Sequence, residues 1–217
     1  MPIRPGLART LAVLAVGLLP AAVTAASTSG SMRLDFTVLK DGDAIGHHQI
    51  ELVRNGDQEN VSIKTDIVVK VVYVPVYRFE HRGSEVWQNG HLVSLRSQTN
   101  DDGEKHTLQA AAKDDRLEVT GDGTVSQASD EIIPASLWNR DLVSQTVLLN
   151  TLTGKQMAIK VADLGADPVR VHGSTVPAHH YKVTGELERE LWYDQSDRLV
   201  LVKFTAKDNS EISYVLE

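Results

Sequence analysis

The sequence contains no cysteine. That excludes disulfide staples, thiolate nucleophiles, cysteine-ligated metal centres and anchoring as a lipoprotein through a cysteine. Aromatic residues make up only 5% of the chain, so the position of each one matters. Basic residues are in deficit, with 22 Lys and Arg against 29 Asp and Glu and a formal net charge of -7. A domain with this balance is a poor match for nucleic acid, whose affinity rests on phosphate neutralisation, and for an anionic membrane surface. Local basic patches remain open, because net charge describes only the average field. The sequence has no G-x-S-x-G elbow, no H-E-x-x-H and no phosphate loop. Gly121-Asp122-Gly123 lacks the third glycine of a dinucleotide fingerprint and lies between strand patterns, so it reads as a turn. A serine–histidine–acid triad has no sequence signature of its own and stays open.

What is present begins with an address. Arg4 and Arg9 form a positive n-region, Leu11 to Leu19 is a short apolar run, Pro20 ends it, and Ala21 to Ala26 supplies small residues. This pattern is expected of a signal peptide over residues 1–25, cut after Ala25 or Ala26 and exported by general secretion. The apolar run is too short to span a bilayer comfortably. Residues 26–31 then read as a linker and residues 32–217 as one β domain, soluble and periplasmic. Loss of Arg4 and Arg9 leaves 20 basic residues against 29 acidic ones, a charge of -9. With 41% hydrophobic residues, such a domain has enough core to do without disulfides.

The body alternates with a period of two. Leu34, Phe36 and Val38 share a face, as do His48, Ile50 and Leu52. Val61, Ile63, Ile67, Val69 and Val71 lie opposite Asn60, Ser62, Lys64, Asp66 and Lys70, the pattern of a strand with one buried and one wet face. Pro75 marks a bend or an edge. Asn89-Gly90 is a strong hairpin signal, since both residues tolerate positive φ, and Asp102-Gly103 predicts a second hairpin. Pro134 to Ser144 is the best helical candidate, with Leu137, Trp138 and Leu142 on one side and Ser136 or Asn139 as cap. The fold class is mainly β: an antiparallel up-and-down meander of about a dozen strands, forming a curled sheet or incomplete barrel with one short helical segment.

Several segments resemble an uncharacterised family of exported bacterial proteins, domain of unknown function 6134. They are Val74-Pro75-Val76-Tyr77-Arg78-Phe79-Glu80-His81-Arg82 with Glu85-Val86-Trp87, Pro134-Ala135-Ser136-Leu137-Trp138-Asn139, Leu148-Leu149-Asn150-Thr151 with Gly154, and Leu191-Trp192-Tyr193-Asp194 with Arg198-Leu199-Val200. The resemblance covers about residues 32–217. One departure is Ser196-Asp197, where a glycine would be expected in the final turn. More distantly, the pattern is similar to the curved-sheet lipoprotein carriers of the bacterial envelope, which implies an apolar cavity by analogy of fold.

Histidine invites over-reading. Neighbouring residues on a strand point to opposite faces, so His47-His48 and His179-His180 cannot each grip one ion from a regular strand. No metal site and no cofactor are expected. Arg78, Glu80 and Arg82 share a face; they read as a solvated charge ladder or, functionally, as a polar rim whose Arg78 or Arg82 meets an anionic headgroup. Core packing is the default for Tyr77, Phe79, Trp87, Trp138 and Trp192; lining a cavity is the functional alternative, with Trp138 on a lid. The leading reading is a non-enzymatic binding or carrier domain for a lipid or other amphiphile. The alternative is a protein–protein interaction module of the envelope, and the second alternative is a hydrolase or metal-dependent enzyme built on scattered His and Asp residues.

Overall fold

The computed structural model describes Met1 and residues 29–171 and 173–217. The expected signal peptide beyond Met1 and residues 26–28 of the expected linker lie outside the described residues, whereas Ser29, Gly30 and Ser31 of that linker instead open β1, paired with Asn55, Arg54 and Val53. Seventeen strands occur among them: β1 (Ser29–Lys40), β2 (Asp43–Asn55), β3 (Gln58–Val71), β4 (Val74–Gln88), β5 (His91–Asp101), β6 (Glu104–Lys113), β7 (Arg116–Gly121), β8 (Thr124–Ser129), β9 (Ile133–Pro134), β10 (Val147–Leu149), β11 (Gln156–Ala166), β12 (Val169–Val171), β13 (Ser174–Val176), β14 (Ala178–Gly185), β15 (Arg189–Asp194), β16 (Leu199–Thr205) and β17 (Glu211–Leu216). The mainly antiparallel β class is as expected, although the strands outnumber the expected dozen. Fifteen form one sheet in the order β8-β7-β6-β5-β4-β3-β2-β1-β17-β16-β15-β14-β11-β10-β9, and β12 pairs with β13 alone. All pairings are antiparallel except β9 with β10.

The two edge strands are consecutive in sequence. Only residues 130–132 separate β8 from β9, a connection of roughly 14 Å at full extension. The sheet must therefore curl until its edges nearly meet, yet it is not closed into a barrel. Gln156 Nε2 reaches across this gap to the Gln127 carbonyl at 3.2 Å. The alternating apolar residues of both halves, from Leu34 to Val202, meet in one core on the concave side.

The segment between β9 and β10 lies against that concave face. It is not the expected helix: among the described residues, one 3-10 turn at Arg140–Ser144 is its only helical structure, capped by the Asn139 side chain accepting from the Asp141 amide. Leu137, at φ +69°, interrupts any helix begun at Pro134. The 3-10 turn is preceded by Trp138, which donates to Glu85, and the Tyr193 hydroxyl donates to the Leu137 carbonyl. These tertiary anchors outweigh the weak local preference of a short segment.

At one rim the β3–β4 hairpin outgrows its neighbours. β2 first pairs with β3 at Ile67, and β5 first pairs with β4 at Phe79. Residues 68–78 therefore form a two-stranded prong, bulged at Val76. Its tip exposes Val71, Val72, Tyr73, Val74 and Val76, and the turn residues Val72 and Tyr73 sit at φ +48° and +69°. Such a turn favours Asn-Gly, and a β-branched residue in the left-handed region is strained. Replacing Val72-Tyr73 by Asn-Gly is expected to stabilise the protein by about 1–2 kcal/mol, read as a higher urea midpoint at unchanged slope. An unchanged or lower midpoint would show that the tip is not strained.

Candidate functional site

A row of inward-facing polar residues crosses four adjacent strands. His48, Thr65, His81 and Thr99 pair in register on β2, β3, β4 and β5. All four are buried. His48 Nδ1 shares a 2.7 Å hydrogen bond with Thr65 Oγ1, and His81 Nδ1 a 2.8 Å bond with Thr99 Oγ1. Burial drives both imidazoles neutral. It pushes His48 down to about 3, with a lesser contribution from the charge of His81, and His81 down to about 4, helped by Arg82.

Above this row is a partly open pocket of about 150 Å³. Ala135, Ser136, Leu137, Thr151 and Leu152 of the crossing segments wall one side; Leu187, Arg189, Phe204 and Tyr214 wall the other. Phe79 continues the wall toward the rim that carries the prong, and its ring stacks near His81 at 6.4 Å. Arg189 lies over the Phe204 ring, 3.8 Å from its centroid. A hollow of this size suits a group on the scale of a benzene ring. It falls short of the range usual for drug-sized ligands, and an extended acyl chain does not fit inside it.

Behind Ser136 lies a second polar feature. Glu85 is only 2% exposed and accepts from both indoles, Trp87 at 2.8 Å and Trp138 at 2.9 Å. The two indole rings pack edge to face, 5.6 Å apart. Burial pushes the Glu85 carboxyl up, partly offset by the nearby Ser136 hydroxyl and the two indoles. Neither Ser136 Oγ nor Glu85 Oε1 completes a well-formed hydrogen bond. Ser136 has no histidine hydrogen-bonded to it among the described residues, so it lacks the base that activates a serine nucleophile.

The sequence-predicted candidates are spread over the molecule. Phe79 lines the pocket, Trp87 and Trp138 hold Glu85, and Tyr77 stands at the rim, donating to Asp101 at 2.7 Å. Arg78 and Arg82 face outward, paired with Glu80 and Asp66. Trp192 lies on the convex side in a separate cluster with Val169, Val171, Ala178 and Val200, stacked on His180 at 3.9 Å between centroids. The arginine in the pocket is instead Arg189. The alternation Arg189, Leu191, Tyr193 was the available signal, because the last two are fully buried. No group of three or more His, Asp or Glu side chains suited to a metal ion occurs among the described residues. No helix among them is long and apolar enough to cross a membrane.

The family model named Domain of unknown function (DUF6134) matches residues 36–217. The chain belongs to this family. The matched span takes in every wall of the pocket and the His–Thr row of this DUF6134 domain. A search of curated proteins gives no match.

Proposed function

We propose that this protein is a non-enzymatic binding domain that takes a small amphiphile, or the compact end of a larger one, into its concave pocket. The observation that carries the reading is the pocket itself: a hollow with mostly apolar walls, in which two neutral imidazoles, four hydroxyl-bearing residues and one guanidinium are gathered. Close-packed interiors leave few voids larger than a water molecule, and this hollow exceeds that size. The apolar prong projects from the rim toward which Phe79, Leu187, Arg189 and Phe204 lie. An exposed apolar tip beside the pocket supports ligand exchange with an apolar phase. The leader expected at residues 1–25 makes the setting extracytoplasmic, in the envelope of a bacterium.

Native mass spectrometry of protein purified from its own host is expected to show a non-covalent adduct of low mass. Leu152→Trp, at a half-buried wall position, is expected to fill the pocket and lower ligand affinity at least about tenfold while thermal stability stays close to that of the parent. An adduct retained unchanged by Leu152→Trp would put the ligand elsewhere. Absence of an adduct, together with no thermal shift by any small amphiphile, would end the binding reading.

A further inference from the structure

Six arginines among the described residues have a carboxylate partner: Arg33, Arg54, Arg78, Arg82, Arg140 and Arg198. Arg96, Arg116 and Arg170 are exposed to water. Arg189 is the exception, half-buried in the pocket wall with no ion pair among the described residues. Its one hydrogen bond to protein runs from Nη1 to the adjacent Glu188 carbonyl at 2.7 Å. The other guanidinium N–H groups have no protein acceptor among the described residues. One face is fixed by the Phe204 ring.

A desolvated cation without a counter-charge is costly, and stacking on an aromatic face offsets only part of that cost. Nothing else nearby compensates it. His48 and His81 contribute no negative charge, and the one buried carboxyl in the neighbourhood, Glu85, is held by two indoles. Tyr214 lies on the same side of the pocket, and Ser136, whose Oγ completes no well-formed hydrogen bond among the described residues, faces it from the other. The pocket thus presents one preorganised cation at the boundary of an apolar hollow, with the Ser136 hydroxyl unpartnered among the described residues.

We infer that Arg189 is the reader of an anionic head, and that the ligand class is a carboxylate on a small apolar body, the guanidinium supplying the paired N–H donors and the apolar walls taking the tail. This inference rests on the binding reading above and narrows it. A bare inorganic anion would leave the apolar walls unused, and a neutral molecule would leave the cation uncompensated.

The test is calorimetric titration of the full chain at neutral pH with benzoate and straight-chain carboxylates, with the alcohols of the same carbon skeletons, and with inorganic phosphate. The parent protein is expected to bind at least one carboxylate about tenfold or more tighter than its alcohol. Arg189→Gln is expected to lose that preference while alcohol binding changes less than about threefold, and Arg189→Lys to retain part of it. Urea unfolding of each variant separates lost recognition from lost structure. Equal affinity for acid and alcohol, or a preference that survives Arg189→Gln, would overturn the anionic head and leave the pocket reading standing. Phosphate binding as tight as the best carboxylate would overturn the amphiphilic class. Binding of none of these probes would bring down the pocket reading, and this inference with it.

Discussion

Acidification from about pH 7 to about pH 4.5 is expected to destabilise the folded protein by on the order of 3–5 kcal/mol. The cause is the buried His–Thr row. Both imidazoles are neutral in the folded state, with pKa values lowered by burial to about 3 for His48 and about 4 for His81. In the unfolded chain each titrates near the ordinary histidine value of 6.5. Between those limits the unfolded state binds more protons, so stability rises with pH and is lost as pH falls below about 6.5. Each histidine contributes at most about 2.7 kcal/mol over two pH units. Glu85 works the other way. Its carboxyl is raised by burial, so the folded state keeps a proton that the unfolded chain releases, and stability falls as pH rises through its folded value. His106 also has its pKa raised, by the Asp122 hydrogen bond, but it lies at the surface and solvent screening keeps its effect small. The lowered carboxylates Asp35, Asp122, Asp163, Asp194 and Asp208 act mainly below about pH 4.

The expected profile therefore falls on the acid side, from the two histidines, while Glu85 opposes that fall between the ordinary carboxyl value and its own raised folded value. Urea midpoints measured between about pH 4.5 and about pH 9 check it. His48→Phe should flatten the acid limb by roughly half, since one of two similar contributions is removed. Glu85→Gln should remove that opposing slope and steepen the fall on acidification, because an amide oxygen can accept from the same two indoles without titrating. A parent curve that is flat between about pH 7 and about pH 4.5 would mean that the histidines are wet or charged in the folded state.

Much of this architecture was legible in the alternation of side chains, and the exceptions have physical reasons. β4 and β5 meet at Asn89-Gly90 and β5 and β6 at Asp102-Gly103, as expected, whereas the β3–β4 turn at Val72-Tyr73 carries no hairpin residue. His48 could be placed on the buried face because Ile50 and Leu52 flank it at period two. Thr65 and Thr99 went unnoticed, since a lone threonine among apolar residues carries no signal until a cross-strand partner is known. Registers supply that partner, and they depend on turn geometry over the whole meander. The curling of the sheet was expected from its length, but the near-meeting of its edges follows from the short link after β8, which reads in sequence as an ordinary loop. The Pro134 to Ser144 segment misled because its apolar spacing fits one side of a helix. In the folded protein Leu137, Trp138 and Leu142 are instead anchored separately, and the left-handed Leu137 turns the chain between them. Arg189 was hidden inside the charged run Leu187-Glu188-Arg189-Glu190, whose composition resembles a solvated turn.

Gly121→Ala is expected to destabilise the protein by about 3 kcal/mol and to loosen the pocket at the same time. Gly121 closes β7 and is buried. Its φ is not positive, so alanine would meet no backbone strain of its own. The obstacle is the neighbouring chain: an added methyl would overlap the Thr153 carbonyl oxygen and its carbon, which are backbone atoms and cannot rotate away. The contact continues at Gly154, which has φ +73° and sits where a methyl would come within 2.7 Å of Leu108 and Val119. Asn150 fixes the same bend, its side-chain oxygen accepting from the amides of Leu152 and Thr153, and Ser97 Oγ donates to the Thr151 carbonyl. The Thr151–Gly154 bend is thus pressed onto β6 and β7 by glycine on both sides of the contact, and Thr151 and Leu152 are pocket walls. Pushing the bend outward by a methyl group should therefore weaken ligand binding as well as folding. Gly123→Ala is the control: Gly123 has open space around it, and its cost comes from φ +81° alone, about 1 kcal/mol. Urea unfolding and ligand titration of the two variants should separate them, Gly121→Ala losing both stability and affinity and Gly123→Ala losing a little stability only. Equal effects from the two substitutions would show that the bend is free to move and that its contact with β7 does not shape the pocket.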